Sequence, residues 1–398
     1  MVKIPKNKGK KVFVGMSGGV DSSVSACLLK EAGYDVTCVF IKVWQPDWTP
    51  CTWKEERLEA MRASAHIGIP FLTLDLEKEY KKDVADYMIA EYRAGRTPNP
   101  DVMCNKYVKF GGFLNFALEN GADYIATGHY AQISKKENRK IEKKDAKNKD
   151  NKNIFELVAG KDTEKDQSYF IWTLNKKELS HTLFPVGHLL KSEVRKLAKK
   201  FGLPNALKKD SQGICFLGKL NMKEFLNHYI ENKKGDVLNE KGKKIGYHDG
   251  AWKFTLGERH GFNVIDKSDH DAPYYVSKKD IVNNTLTVSN KSDKGLLSEA
   301  KTKVEIKDVN WCSGELPNTK DEIGKDKIFF ARSRYREKLE RVHINLSKNS
   351  ENPINPVEIE FLNPQNTLSS GQSIVIYSGE KSDAIYTDMI CLGGGIII

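Results

Sequence analysis

The sequence lacks most of the features that would identify a secreted, membrane or metal-binding protein. No apolar run reaches the length of a membrane span, and no CxxC pair occurs that would support a zinc or iron–sulfur site. An odd number of scattered cysteines does not suit a secreted disulfide framework. We therefore predict a reducing cellular setting, no resident metal site and no membrane partner. The seven cysteines are Cys27, Cys38, Cys51, Cys104, Cys215, Cys312 and Cys391.

The beginning of the chain is basic but has no long apolar stretch of the kind found in a secretory signal. We interpret Met1–Lys11 as an exposed tail, with part of an organellar address as the alternative. The predicted location is cytoplasmic, and the alternative is a mitochondrion or another organelle. We expect a monomer. Four of the cysteines, Cys27, Cys38, Cys312 and Cys391, are interpreted as small buried hydrophobic residues.

The net charge of +11 by itself suggests a nucleic-acid partner. The distribution of the charged residues along the chain weakens this inference. Met1–Lys11 holds five lysines and no acid, and residues 135–153 hold nine basic and four acidic side chains. These two segments account for all but about one of the net positive charges. Any RNA-binding surface must therefore be a local patch. We interpret residues 135–153 as a disordered surface insertion between two strands, with a role in gripping RNA as the alternative.

The first half of the chain alternates between strand and helix patterns. This alternation predicts an α/β domain with a parallel sheet and helices on both faces. Ser192 is the predicted cap of the last helix. The predicted elements are strands at 11–16, 35–43, 70–75 and 124–128, and helices at 21–31, 53–67, 77–92 and 191–201.

The pattern changes after Leu217 to short β-like runs separated by turns. This pattern predicts a helix-containing connector followed by a C-terminal β-barrel or sandwich. We place the domains at 1–218, 219–283 and 284–398.

A glycine-rich loop, Gly15–Ser23, follows the first strand and opens the first helix. Adjacent glycines turn backbone amides toward an anion, while serine hydroxyls and the helix N-terminus add donors and positive potential. The loop has neither GK[ST] nor GxGxxG spacing. Its SGG-x-DS pattern resembles instead the pyrophosphatase-loop enzymes, which cleave ATP between the α- and β-phosphates. That family includes GMP, NAD and argininosuccinate synthetases as well as several tRNA-modifying enzymes.

Downstream motifs narrow this choice. They are GRTPNPDVMCN at 95–105, GHY at 128–130, KDQSYF at 165–170, DSQGICF at 210–216, TLGER at 255–259, RYR at 334–336, GQS at 371–373 and LGGG at 392–395. Together they closely resemble the tRNA-specific 2-thiouridylases of the MnmA/TrmU family. The resemblance covers nearly the whole chain except the tail and the 135–153 insertion.

The resemblance implies an adenine nucleotide alpha-hydrolase-like domain and a reaction that replaces a uracil oxygen with sulfur. ATP adenylates the oxygen, Mg²⁺ neutralises the released pyrophosphate, and a cysteine persulfide supplies the sulfur. By the resemblance Cys215 carries the persulfide, Cys104 resolves it, and Asp101 is the acid–base residue. The implied substrate is the wobble uridine of the Lys, Glu and Gln tRNAs, and the implied partner is a persulfide donor or sulfur-relay protein.

The family's binding residues are carried over position by position. The implied ATP contacts are Gly15, Met16, Ser17, Gly18, Gly19, Val20, Asp21, Ser22, Ile41 and Gly128. The implied target-base contacts are Asn99, Pro100 and Asp101. The implied tRNA contacts are His129, Lys165, Asp166, Gln167, Arg334, Tyr335 and Gln372.

Two alternatives remain open from the sequence. Another adenylating synthetase of the same loop family would have no need for Cys104 and Cys215. A catalytically silent RNA-binding relative predicts decay of the loop or loss of a cysteine, and this sequence shows neither.

Overall fold

A computed structural model of the chain describes residues 9–49, 52–137, 153–210, 222–265, 272–290, 301–320, 324–346, 356–365, 368–379 and 389–398. The parts described form three β-sheets with associated helices. Among these residues no helix is long and apolar enough to cross a membrane.

The first sheet is parallel and has the predicted strand–helix alternation. Its central strands are largely buried, as expected for a parallel sheet with helices on both faces. In spatial order its strands are Phe71–Asp75, Asp35–Lys42, Lys11–Gly15, Tyr124–Ala126 and Thr182–Leu183. The central position of Lys11–Gly15 places the glycine-rich loop at the middle of the carboxyl edge of the sheet.

Two of the helices around this sheet contain π-helical turns. The predicted helix at 77–92 runs from Glu77 to Arg93 through a π segment at Lys81–Asp86. A second helix runs from Pro100 to Glu119 and is π-helical over Cys104–Phe113. Such wider turns often occur at functional sites. The other helices are Val20–Glu31, Trp53–Ile67, Lys176–Ser180 and Lys191–Lys200.

The helix Lys191–Lys200 begins differently from the prediction. Its N-cap is Leu190, and the carboxylate of Glu193 accepts the Leu190 backbone N–H at 2.7 Å. The prediction that Ser192 caps this helix is therefore wrong. Val194 and Ala198 on the inward face of this helix are buried.

The central region is mainly β-structure. A short helix, Met222–Asn227, leads into a five-stranded sheet whose order is Phe262–Val264, Lys244–His248, Gly235–Leu238, Thr285–Ser289 and Tyr275–Asp280. Thr285–Ser289 pairs with Tyr275–Asp280 and with Gly235–Leu238. The predicted boundary between 283 and 284 is therefore wrong, because it would cut through this hairpin.

The third sheet contains a closed barrel, which confirms the C-terminal β-barrel. Six strands close through a pairing between the first and last: Lys301–Trp311, Val357–Gln365, Glu340–Asn345, Phe329–Arg332, Ser373–Ser378 and Ile390–Ile397. The first two residues of Ile390–Ile397 also pair with Asn153–Ala159 of the first domain.

The hairpin that joins the first domain to the barrel includes both ends of the predicted insertion. Ala131–Glu137 pairs with Asn153–Ala159 in continuous antiparallel register, so residues 135–137 and 153 belong to strands. The predicted range of 135–153 was thus too wide. Residues 138–152 lie outside the described part of the chain.

Candidate active site

A cavity of about 530 Å³ lies at the carboxyl edge of the parallel sheet. Ligands of open α/β sheets bind at this edge. Its wall includes most of the glycine-rich loop together with Ile41, Asp101, Gly128, His129, Lys165, Gln167 and Tyr335. Residues that are far apart in the sequence, and that the resemblance had linked to ATP and RNA, therefore share one space.

The loop presents the start of the helix Val20–Glu31 to this cavity. Gly19 is the N-cap, and Gly18 adopts a φ of +72° that favours glycine. Gly128 supports the loop from the next strand. A Cβ at Gly128 would lie only 2.8 Å from the backbone nitrogen of Ser22, so no larger residue fits without moving the loop. The geometry is that of an anion site made of backbone amides.

The helix Pro100–Glu119 brings a second set of groups to the cavity. Asn99 caps it, accepting the N–H groups of Asp101 and Val102 at 3.2 and 3.3 Å. Asp101 and the buried Asn105 both line the cavity, as expected for residues four apart on one helix face. The predicted acid–base residue therefore faces the same space as the phosphate loop.

Cys104 lies on this helix beside the cavity-lining face and is fully buried. It packs in the main core, so the interpretation as a reactive residue and that as a small core residue are both compatible with its place. Its predicted partner Cys215 lies outside the described residues, as does Cys51. Cys27, Cys38, Cys312 and Cys391 are buried, as predicted.

His129 reaches the cavity from an enclosed position. Its ring Nδ1 lies 2.7 Å from the Thr127 hydroxyl, and the residue is 7% exposed. Burial, with a smaller contribution from the charge of Lys109, holds the pKa of His129 well below its usual range. The imidazole is therefore neutral at physiological pH, so it can act there as a hydrogen-bonding group and not as a cation.

The cavity wall carries an excess of positive charge that counting along the sequence did not reveal. Six cationic side chains and four carboxylates line it. Asp210 forms salt bridges with three nearby cations: Lys165 at 2.8 Å, Lys191 at 2.9 Å and Arg195 at 2.6 Å. Burial would raise the pKa of Asp210, but hydrogen bonds and charges from Lys165 and Lys191 outweigh it and hold the pKa well below its usual range.

The residues predicted to contact tRNA divide into two groups. Tyr335 faces the cavity and its ring centroid lies 4.6 Å from that of Phe170, which makes an aromatic wall suited to an unstacked base. Lys165 and Gln167 also line the cavity, and Gln167 accepts the Tyr130 N–H at 3.0 Å. Pro100 is buried, and Gln372 donates to the Thr97 carbonyl at 2.7 Å. The second group does not line the cavity and consists of Asn99, Pro100, Arg334 and Gln372.

The side chain of Asp166 is used inside the protein, although the resemblance implied a contact with tRNA at this position. Its side chain is 8% exposed, and Arg332 pairs with it at 2.5 Å. It also accepts the N–H of Gly160 at 2.9 Å and both the N–H and the hydroxyl of Ser168. Both carboxylate oxygens are thus used inside the protein. Asp166 instead holds the first domain to the barrel strand Phe329–Arg332.

Comparison with known proteins identifies the family of the chain. Three sequence families match successive parts of the chain: the tRNA methyl transferase HUP domain at 10–219, the tRNA methyl transferase PRC-barrel domain at 223–290, and the aminomethyltransferase β-barrel domain at 301–397. The tRNA-specific 2-thiouridylase MnmA of Francisella tularensis subsp. holarctica is 40% identical over 394 residues, covering 98% of this chain and 100% of the relative.

The chain belongs to the tRNA-specific 2-thiouridylase family. The MnmA protein of Francisella tularensis subsp. novicida is 39% identical with the same coverage. A solved 4-thiouridine synthetase–RNA complex with bound ATP is 20% identical over 55% of this chain and 50% of that chain. Its TM-score of 0.32 is too low to support an inference.

Sequence reasoning missed several residues of this thiouridylase-family site. Lys191 and Asp210 line the cavity, and Tyr130 donates its hydroxyl to Asp21 at 2.8 Å. Lys191 begins a helix and Asp210 is the first residue of the DSQGICF motif, but no local pattern predicted that either would face the cavity. Only the fold brings them to the loop.

Proposed function

We propose that this protein is an ATP-dependent tRNA-uridine 2-sulfurtransferase that converts the wobble uridine of the Lys, Glu and Gln tRNAs to 2-thiouridine. The observation that carries the proposal is the single cavity shared by the phosphate loop, the Asp101 helix and the Tyr335–Phe170 wall. The full-length relatives support it, since they are named as tRNA-specific 2-thiouridylases.

The loop supplies the nucleotide half of the reaction. Backbone amides of Gly15–Ser22 receive the phosphates, and buried Ile41 provides an apolar surface for adenine. The uridine O2 attacks the α-phosphorus of ATP, an O–P bond forms, and pyrophosphate leaves. Among the described residues no group of three or more His, Cys, Asp or Glu could hold a metal ion. Any Mg²⁺ would therefore arrive with the triphosphate, whose charge it neutralises, and Asp21 is the carboxylate that the loop itself contributes to the cavity wall.

The opposite wall receives the base. The target uridine must leave its stack to reach a cavity of this kind. The Tyr335 ring offers a stacking surface, and Asp101 lies on the facing helix within the same space. Asp101 moves a proton on the base as its carbonyl is activated.

Sulfur transfer requires two thiols that meet in the fold. The outer sulfur of a Cys215 persulfide attacks C2, and AMP leaves with the former O2. The Cys104 thiolate then attacks the inner Cys215 sulfur, which forms a Cys104–Cys215 disulfide and releases the 2-thiouridine. An external thiol reduces the disulfide before the next cycle. The burial of Cys104 shields it from solvent oxidants and reserves it for a sulfur brought to it within the protein.

The direct test is thiolation of an unmodified tRNA transcript with ATP, Mg²⁺ and a persulfide donor, followed by mass analysis of the nucleosides. Both Cys215→Ser and Cys104→Ser are expected to lower turnover by about a hundredfold or more, because serine forms no persulfide or disulfide. Cys27→Ala, at a buried cysteine with no assigned role, is the matched control and should retain activity.

Three results would contradict the proposal. Full activity of Cys215→Ser would show that the sulfur is not carried as a persulfide on Cys215. Release of AMP with no thiolated tRNA would point to another adenylating synthetase. Tight tRNA binding without AMP formation would identify a silent RNA-binding relative.

A further inference from the structure

Lys191 lies in the cavity wall but has no part in the reaction as outlined so far. Its side chain is 15% exposed, and its Nζ donates to both carboxylate oxygens of Asp21, at 2.7 and 2.8 Å. Asp21 is the second residue of the helix that the phosphate loop opens. The ammonium group therefore stands beside the amides that would hold an anion.

The order of the strands determines which end of a nucleotide would reach Lys191. Ile41 lies near the carboxyl end of the strand Asp35–Lys42 on one side of Lys11–Gly15, and Tyr124–Ala126 lies on the other side. Lys191 belongs to this second side, since its Nζ lies 5.7 Å from the centroid of the Tyr130 ring. A nucleotide with its adenine against Ile41 and its phosphates over the loop therefore directs the terminal phosphates toward Lys191.

The partners of Lys191 can be exchanged for a phosphate. Its second carboxylate, Asp210, lies 2.9 Å away and is shared with Lys165 and Arg195, so Asp210 remains compensated if Lys191 turns away. The side chain of Asp210 is 35% exposed, so breaking this contact leaves no buried charge. A terminal phosphate carries more negative charge than one carboxylate and forms a stronger charge-assisted hydrogen bond.

We propose that Lys191 binds the β- and γ-phosphates of ATP, keeping its bond to Asp21 and giving up its bond to Asp210. The inference rests on the proposed ATP-dependent function and adds a residue to its nucleotide site. In this position Lys191 neutralises the charge that develops on pyrophosphate as the bond to the α-phosphorus breaks.

The experiment compares the binding of ATP and AMP, each with MgCl₂, by calorimetry. Lys191→Gln is expected to raise the Kd for ATP about tenfold or more and to change the Kd for AMP less than twofold, since AMP lacks the two terminal phosphates. Lys191→Arg should recover most of the ATP affinity because it restores the charge. The matched control is Lys196→Gln, an exposed lysine on the same helix, which should match the wild type.

A second variant separates phosphate binding from a purely structural ion pair. Asp210→Asn removes the carboxylate that competes for Lys191, so it should tighten ATP binding and leave AMP binding unchanged. If Lys191→Gln and Asp210→Asn both weakened ATP and AMP equally, Lys191 would be a structural residue and the proposal would be overturned. Unchanged ATP affinity in Lys191→Gln would overturn it as well.

The design also distinguishes this inference from the proposed function. A wild-type protein that binds ATP and thiolates tRNA, with Lys191→Gln unaffected, overturns only the role of Lys191. A wild-type protein that binds neither nucleotide overturns both. Thermal unfolding of each variant checks that the fold is kept.

Discussion

Lys165 and Asp166 are adjacent in the sequence, yet their side chains belong to two different charge clusters. Lys165 faces the cavity and pairs with Asp210, with side chains 31% and 35% exposed. Asp166 points into the protein and pairs with Arg332, both 8% exposed. We call the first group, Lys165, Lys191, Arg195, Asp21 and Asp210, the cavity cluster.

The second group, Asp166, Arg332, Ser168 and Tyr377, we call the junction cluster. Arg332 also donates to the Tyr377 hydroxyl at 2.8 Å, and Ser168 lies 3.0 Å from the same hydroxyl. All of its members satisfy one another inside the protein. Burial makes such a cluster costly to break, whereas partial exposure leaves the cavity cluster free to exchange a carboxylate for a ligand.

The largest stability effect is expected at the junction cluster. Arg332→Met leaves the buried Asp166 charge without its cation, which should lower the free energy of unfolding by about 3–5 kcal/mol. Urea unfolding measures this, and the ATP Kd of the folded protein should stay near the wild-type value. The double variant Asp166→Asn/Arg332→Met should regain part of the loss.

The control for this change is an exposed ion pair near the same barrel. Lys320 and Asp326 pair with side chains 56% and 60% exposed, so Lys320→Met should cost less than about 1 kcal/mol. An equal loss in Lys320→Met and Arg332→Met would show that burial does not distinguish the two pairs.

A smaller effect on stability, with a larger one on nucleotide binding, is expected at Gly128. The Cβ of Gly128→Ala would press on the backbone of Asp21 and Ser22 at 2.9 and 2.8 Å, so the phosphate loop must shift. Overpacking of this kind costs about 1–3 kcal/mol. The KM for ATP should rise by about tenfold, which steady-state kinetics measures.

Gly112→Ala offers the matched control for the loop. The atoms nearest to a Cβ there would be side-chain atoms of Leu76, the closest at 3.0 Å, and a side chain can move aside more easily than backbone. Its KM for ATP should stay close to that of the wild type. Equal KM values in Gly128→Ala and Gly112→Ala would mean that the loop tolerates displacement.

The smallest effect expected is a pH dependence that comes from His129. Because burial lowers its pKa, the folded state binds the proton less readily than the unfolded chain, whose pKa is about 6.5. The contribution of His129 to stability is therefore complete above about pH 6.5 and is lost as the pH falls below it, by at most about 1.4 kcal/mol per pH unit. Between pH 7 and 5, His129→Asn should lose less stability than the wild type in urea unfolding. A larger loss in the variant would reverse the sign and refute the assignment.

The two clusters also show why some site residues were predictable and others were not. The phosphate loop, Asp101 and Tyr335 lie in motifs with their own composition, and the structure brings them to one cavity. Lys165 and Asp166 stand in one motif and received one predicted role, although their side chains point to opposite sides. Local sequence does not encode which side of an irregular segment faces a cavity, because the packing of the barrel against it decides this.

The sequence by itself determined the parallel sheet, the loop that follows its first strand and a C-terminal domain of β-structure, because apolar periodicity and glycine placement act over short distances. It also determined the family, through motifs spread over the whole chain. Only the tertiary structure decided that Lys191 and Asp210 join the loop, that Asp166 serves the junction, and that Thr285–Ser289 completes the central sheet. Each of these depends on contacts between segments far apart in the chain, which local propensity and net charge do not specify.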